Sequence, residues 1–179
     1  MPDIIDPATA PAGVTVYRGI DELVAAVGDE LGPTEWLPME QARIDAFADA
    51  TDDHQWIHVD PSRAAESPYG ATIAHGFLTL SLLPHFMSSL RRFDGVRMGI
   101  NYGLDKARFP AAVPSGTRIR GRMSVDRVEP LSDDGVQLTT TVTIEAEGSE
   151  KPACVATLLS RYYFHPATAA VSTQTEASR

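Results

Sequence analysis

The chain has 179 residues, 43% of them apolar and 22% charged, which suits one soluble domain with a full core. A formal net charge of −9 argues against a nucleic-acid partner, because phosphate binding needs clustered Lys and Arg. Cys154 is the single cysteine and lies in an apolar run, so it reads as a small core residue in a reducing, cytoplasmic setting. No signal-peptide pattern opens the sequence, and no apolar stretch is long enough for a membrane span.

In chain order, residues 1–15, rich in Pro and Ala, read as a loose N-terminal arm, and residues 16–166 as a single domain. Residues 20–31 place Leu23, Val24, Val27 and Leu31 on one helical stripe, ended by Gly32-Pro33. Glu35-Trp-Leu-Pro38 reads as a short edge strand, since Pro38 cannot donate in a central position. Met39 to Ala50 reads as a second helix with Ile44, Phe47 and Ala48 inward, running out at Thr51-Asp52-Asp53. From Asp60-Pro61 to Gly70 a small helix and a turn are expected.

Phe77 to Leu90 is apolar on nearly every face, as in a helix wrapped by other structure, with Pro84 set to kink or shorten it. The remainder reads as β structure: Val96–Tyr102, Thr117–Val128, Val136–Glu145 and Ala153–Phe164. Val136, Leu138, Val142 and Ile144 give the cleanest period of two, and Ser132-Asp-Asp-Gly135 supplies the hairpin before them. The fold class is therefore α+β, an antiparallel sheet with one long buried helix and helical additions before it. Residues 167–179 are small and polar and read as a disordered tail.

Residues 53 to 76 carry the chemistry. Asp53 and His58 stand five residues apart, and Gly76 opens the apolar helix after Ile73-Ala-His75. A carboxylate and an imidazole can hold a water between them, and N–H groups at a helix start can face a developing negative charge. Asp52, Asp53, His54, His58 and Asp60 also form a dense set of possible metal ligands, but no further paired ligand motif follows.

Asp53-x-x-x-x-His58, linked to Ile73-Ala-His-Gly76-Phe77, resembles the MaoC-like (R)-specific enoyl-CoA hydratases. Asn101-Tyr-Gly-Leu-Asp-Lys-Ala-Arg-Phe-Pro110 and Val113-Pro-x-Gly116 extend the likeness, which spans roughly residues 35–165. The resemblance implies the hot-dog fold, a curved antiparallel sheet around one central helix, and a homodimer. It implies that Asp53 and His58 activate the water added to a trans-2-enoyl-CoA, giving the (R)-3-hydroxyacyl-CoA, with the thioester oxygen on the Gly76 N–H. It implies no metal and no redox cofactor, the CoA thioester being the substrate. Gln55 and Trp56 stand where many relatives carry Asn-Pro; Gln55 is expected to support the water and Trp56 to wall the acyl pocket. His75 is expected to orient the helix entry, and Phe77 to lie at the substrate pocket. Two other readings stay open on the same fold: an acyl-CoA thioesterase, disfavoured because no Asp or Glu lies between Phe77 and Leu90, and a non-catalytic acyl-CoA-binding module.

Overall fold

The computed structural model describes residues 13–166. The elements run β1 (Thr15–Arg18), α1 (Ile20–Ala25), β2 (Glu30–Leu31), β3 (Leu37–Pro38), α2 (Gln41–Thr51), α3 (Trp56–Val59) and α4 (Pro61–Ala65). They continue with α5 (Gly76–Ser81), α6 (Leu83–Leu90), β4 (Arg91–Asp94), β5 (Val96–Arg108), β6 (Arg118–Pro130), β7 (Gly135–Ala146) and β8 (Cys154–Phe164). The main sheet has the order β2-β6-β7-β8-β5, with β3 also on β6, and its pairs are antiparallel. This is the expected α+β arrangement of a sheet folded over a central helical segment.

Alternation builds the sheet's inner face. Ile119, Met123 and Val125 of β6 and Val136, Leu138, Val142 and Ile144 of β7 are all buried. All but Val136, which packs with Tyr17 and Leu23, meet Leu83, Phe86, Met87 and Leu90 of α6 in one core. Gly121 lets the helix come this close, since a Cβ there would lie 2.7 Å from Cβ of Phe86. The outer face is polar, laced by Arg120 and Arg122 on Glu145 and by Arg118 on Glu147. The β6–β7 hairpin turns through Asp133 and Asp134, both at positive φ, which short polar side chains tolerate.

Several expectations need correction. The helix expected over 20–31 stops at Ala25, because the chain from Gly28 onward bonds to the sheet: the Gly28 N–H donates to Val125 O at 2.8 Å. Of the proposed stripe only Leu23 is fully buried, while Val24 and Val27 are 47% and 48% exposed. Tertiary pairing here overrides the local period. The central helix is two pieces, α5 and α6, with Pro84 in the first turn of the second. It is not wrapped on every side: Phe77, Ser81, Pro84, His85 and Ser88 are exposed. β1 begins at Thr15, the last residue assigned to the arm, and pairs in parallel with β4, a contact with no sequence signal. Residues 1–12 of the arm and the tail from 167 lie outside the described residues.

Candidate active site

The site forms where α2 ends. Asp52 takes a left-handed conformation (φ 57°) that turns the chain out of the helix and delivers Asp53 to the surface. One turn of helix, α3, follows: the His58 N–H donates to Gln55 O at 2.9 Å and the Asp60 N–H to Trp56 O at 3.0 Å. That single turn, absent from the sequence reading, faces His58 inward, with 7% of its surface exposed. Asp60 then caps α4, its carboxylate accepting from the Arg63 N–H at 3.0 Å.

The stretch from Thr72 to His75 is extended and held on both sides. The Ile73 N–H donates to Ile57 O at 2.9 Å and the Ala74 N–H to Val113 O at 2.8 Å. It therefore sets His75 beside His58, the two rings stacked with centroids 3.7 Å apart. His58 Nδ1 lies 2.6 Å from Ile73 O. A carbonyl only accepts, so Nδ1 carries the proton and Nε2 keeps a lone pair for a water or substrate. By the same argument His75 Nε2 donates to Asp53 O at 2.9 Å, and it lies 3.9 Å from the Asp53 carboxylate.

Asp53, His58 and His75 thus converge, one donor atom from each lying within 4.8 Å of the others. Among the described residues this is also the set close enough to share a cation. His54 stays outside it, 2.9 Å from Asp49 on the surface, a carboxylate that raises its pKa. Burial lowers the His58 pKa, opposed by the Ile73 carbonyl, deepened by the neighbouring His75, and opposed again by Asp53. The neutral imidazole is therefore favoured. Cys154 is buried and its thiol is pushed up to about 11 by desolvation, so it stays an inert core residue.

Gly76 is the first residue of α5, and no described residue accepts a hydrogen bond from its N–H. A Cβ at Gly76 would lie 2.9 Å from the Phe109 ring, so glycine permits the close approach. Phe77 is 71% exposed and meets Phe109 edge-on at 6.1 Å. Trp56 is half-buried under the Arg63 guanidinium, 4.3 Å from its ring, and the Gln55 side chain is exposed.

Sequence reasoning missed Gln41 and Thr72. Gln41 Nε2 donates to His58 O at 2.8 Å and to Asp45 Oδ1 at 2.7 Å, while Gln41 Oε1 accepts from the Thr72 hydroxyl. This bracket ties the His58 turn to the strand that presents His75. Nothing local marks either residue for the site, since the partners that tie them to it, His58 and each other, lie far away in the chain.

The sequence profile of the MaoC like domain matches residues 22–147. The chain belongs to the MaoC-like family. This MaoC-like chain is 51% identical over 146 residues to 3-hydroxyacyl-thioester dehydratase Z of Mycobacterium tuberculosis, covering 82% of this chain and 97% of the relative. It is 45% identical over 147 residues to nodulation protein N of Rhizobium leguminosarum bv. viciae, covering 81% and 91%. Among solved structures, the MaoC-like dehydratase from Rhodospirillum rubrum superposes with a TM-score of 0.65 at 21% identity, over 79% of this chain and 94% of that one. The (R)-hydratase from A. caviae involved in PHA biosynthesis gives 0.58 at 23%, over 75% and 94%. These two likenesses establish the hot-dog fold.

Proposed function

We propose that this MaoC-like protein is a hydro-lyase that adds water to trans-2-enoyl-CoA to give (R)-3-hydroxyacyl-CoA, and catalyses the reverse dehydration. The observation that carries the reading is the convergence of Asp53, neutral His58 and His75 beside the Gly76 N–H at the entry to the central helix. The 51% identical relative is named a 3-hydroxyacyl-thioester dehydratase, which supports the same chemistry.

In this reading a water lies between the Asp53 carboxylate and His58 Nε2. As its oxygen bonds to C3 of the enoyl thioester, its proton passes to the pair and a proton returns to C2. Negative charge gathers meanwhile on the thioester oxygen, where the Gly76 N–H stabilises it. The Ile73 carbonyl fixes the tautomer of His58, and His75 holds Asp53 by its backbone. Atoms balance without a redox partner, so acid–base groups suffice; Trp56, Gln55 and Phe77 remain proposed pocket residues.

The same reading includes a homodimer. Among the described residues β5 pairs only with β8, leaving a 13-residue edge on which Met98, Ile100, Tyr102 and Leu104 are 41–54% exposed. A long apolar edge is a template for a second strand. A cytoplasmic setting is also part of it, supported by the single buried thiol; no described helix is long and apolar enough to cross a membrane.

Loss of enoyl-thioester absorbance on adding trans-2-enoyl-CoAs tests the proposal. Turnover that Asp53→Asn and His58→Gln each reduce by about 10²–10⁴ supports it. Release of free thiol instead would make the protein a thioesterase, and tight binding without turnover would make it a binding module.

A further inference from the structure

Cations are neutralised on one half of the sheet and not on the other. On β6, Arg118 pairs with Glu147, Arg120 and Arg122 with Glu145, and Arg127 with Glu129. On β5 and β8, Arg97, Lys106, Arg108 and Arg161 form no ion pair with any described carboxylate. Arg97 Nε donates instead to Phe164 O at 3.2 Å, and Arg161 Nε to Gln137 Oε1 at 3.1 Å. Asp105 is the one carboxylate that these two strands carry.

Register puts the four cations on one face. Buried Ala156, Leu158 and Ser160 mark the inner face of β8, so Arg161 and Tyr163 belong to the outer one. Met98 stands opposite Tyr163, Ile100 opposite Arg161, Lys106 opposite Thr157 and Arg108 opposite Val155, all at outer positions. Arg97 and Tyr102 fall at register shifts, and ring contacts fix their side. The Arg97 guanidinium lies 5.8 Å from the Tyr163 ring, and that of Arg161 lies 3.4 Å from the Tyr102 ring. At about 3.3 Å per residue, the strip from Arg97 to Arg108 runs roughly 35 Å.

Between the charges the surface is apolar. Met98, Ile100 and Tyr102 are 45%, 41% and 54% exposed. Arg, Tyr and Met are residue types that protein–protein interfaces favour. Stacking on tyrosine also holds two of the guanidinium groups in place beforehand, which lowers the ordering cost of an encounter. On a chain of net charge −9 the strip is a local reversal of sign, and it selects an acidic partner. A second copy stacked on it would set cation against cation, because a two-fold contact brings the same patch from both sides. Pairing through the β5 edge uses backbone groups and leaves this face open.

We propose that the outer face of β5 and β8 docks an acidic protein surface. Its Asp or Glu side chains meet Arg97, Lys106, Arg108 and Arg161, and its apolar side chains meet Met98 and Ile100. The sheet separates this face from the central helical segment and Gly76, so the docking stands independently of the catalytic reading. Asp53→Asn is therefore expected to bind as the wild type does.

Fluorescence anisotropy of a labelled Glu/Leu peptide titrated with the full chain tests the idea. The acidic peptide is expected to bind, and a Lys/Leu peptide is not. Raising the salt toward 1 M, where screening acts within about 3 Å, should weaken the binding. Arg97→Gln combined with Lys106→Gln and Arg161→Gln should weaken it about 10-fold or more, with near-ultraviolet circular dichroism unchanged. Lys106→Glu, a single exposed change, should weaken it without touching any packed side chain. Wild-type affinity in either variant, or equal binding of the Lys/Leu peptide, would overturn the proposal. So would displacement of the peptide by free CoA, or binding to phosphatidylglycerol vesicles in preference to the peptide.

Discussion

Gln41 offers the sharpest test of how the site is held. Gln41→Met keeps the length of the side chain but removes its amide. The Thr72 hydroxyl, on a residue only 2% exposed, then loses its acceptor, and the carbonyl of buried His58 loses a donor. Each stranded polar group costs about 1–3 kcal/mol, so a total near 2–6 kcal/mol is expected. For a domain of this size that corresponds to a fall of roughly 4–24 °C in melting temperature. Thr72→Val removes the matching hydroxyl. The double variant should then be less destabilised than the sum of the singles, by about 0.5–3 kcal/mol. Thermal and urea unfolding of the four proteins measures this. Activity should fall mainly through kcat, because the His58 turn that holds the reacting water is displaced. Additive losses, or an unchanged melting temperature in Gln41→Met, would refute the bracket.

Three further outcomes are expected. Gly121→Ala pushes a methyl against Phe86, which is 1% exposed, and should cost about 1–3 kcal/mol in urea unfolding; an unchanged midpoint would show that α6 is free to move off the sheet. Because burial lowers the His58 pKa, its contribution to stability is full above the ordinary imidazole value of about 6.5 and is lost as pH falls through the lower folded value. The acid limb of kcat/KM should accordingly have its midpoint below about 6.5, and a midpoint above it would contradict a neutral His58. Ile100→Lys with Leu104→Lys should convert a dimer to a folded monomer by light scattering; a monomeric wild type, or an intact dimer in the variant, would refute pairing through β5.

Much of the fold was legible because its strands follow simple rules. The β6–β7 hairpin is announced by alternation on both sides of Ser132–Gly135, and its burial follows that alternation. The 20–31 helix misled because its apolar spacing satisfies a helix, while the competing partner, Val125 on β6, lies a hundred positions away and leaves no local mark. The placement of the candidate site was legible, since Asp53, His58 and Gly76 sit at a recognisable spacing around a helix entry. Its support was not. Gln41 and Thr72 are 31 residues apart, Val113 holds Ala74 from a turn far downstream, and His75 meets His58 only by stacking.

Running the reaction in ¹⁸O-labelled water and resolving the product by chiral chromatography tests the hydration itself. Water addition through Asp53 and His58 predicts one ¹⁸O at C3 of (R)-3-hydroxyacyl-CoA, formed by the wild type and not by Asp53→Asn. The (S) product, or label in a free carboxylate with release of thiol, would contradict it.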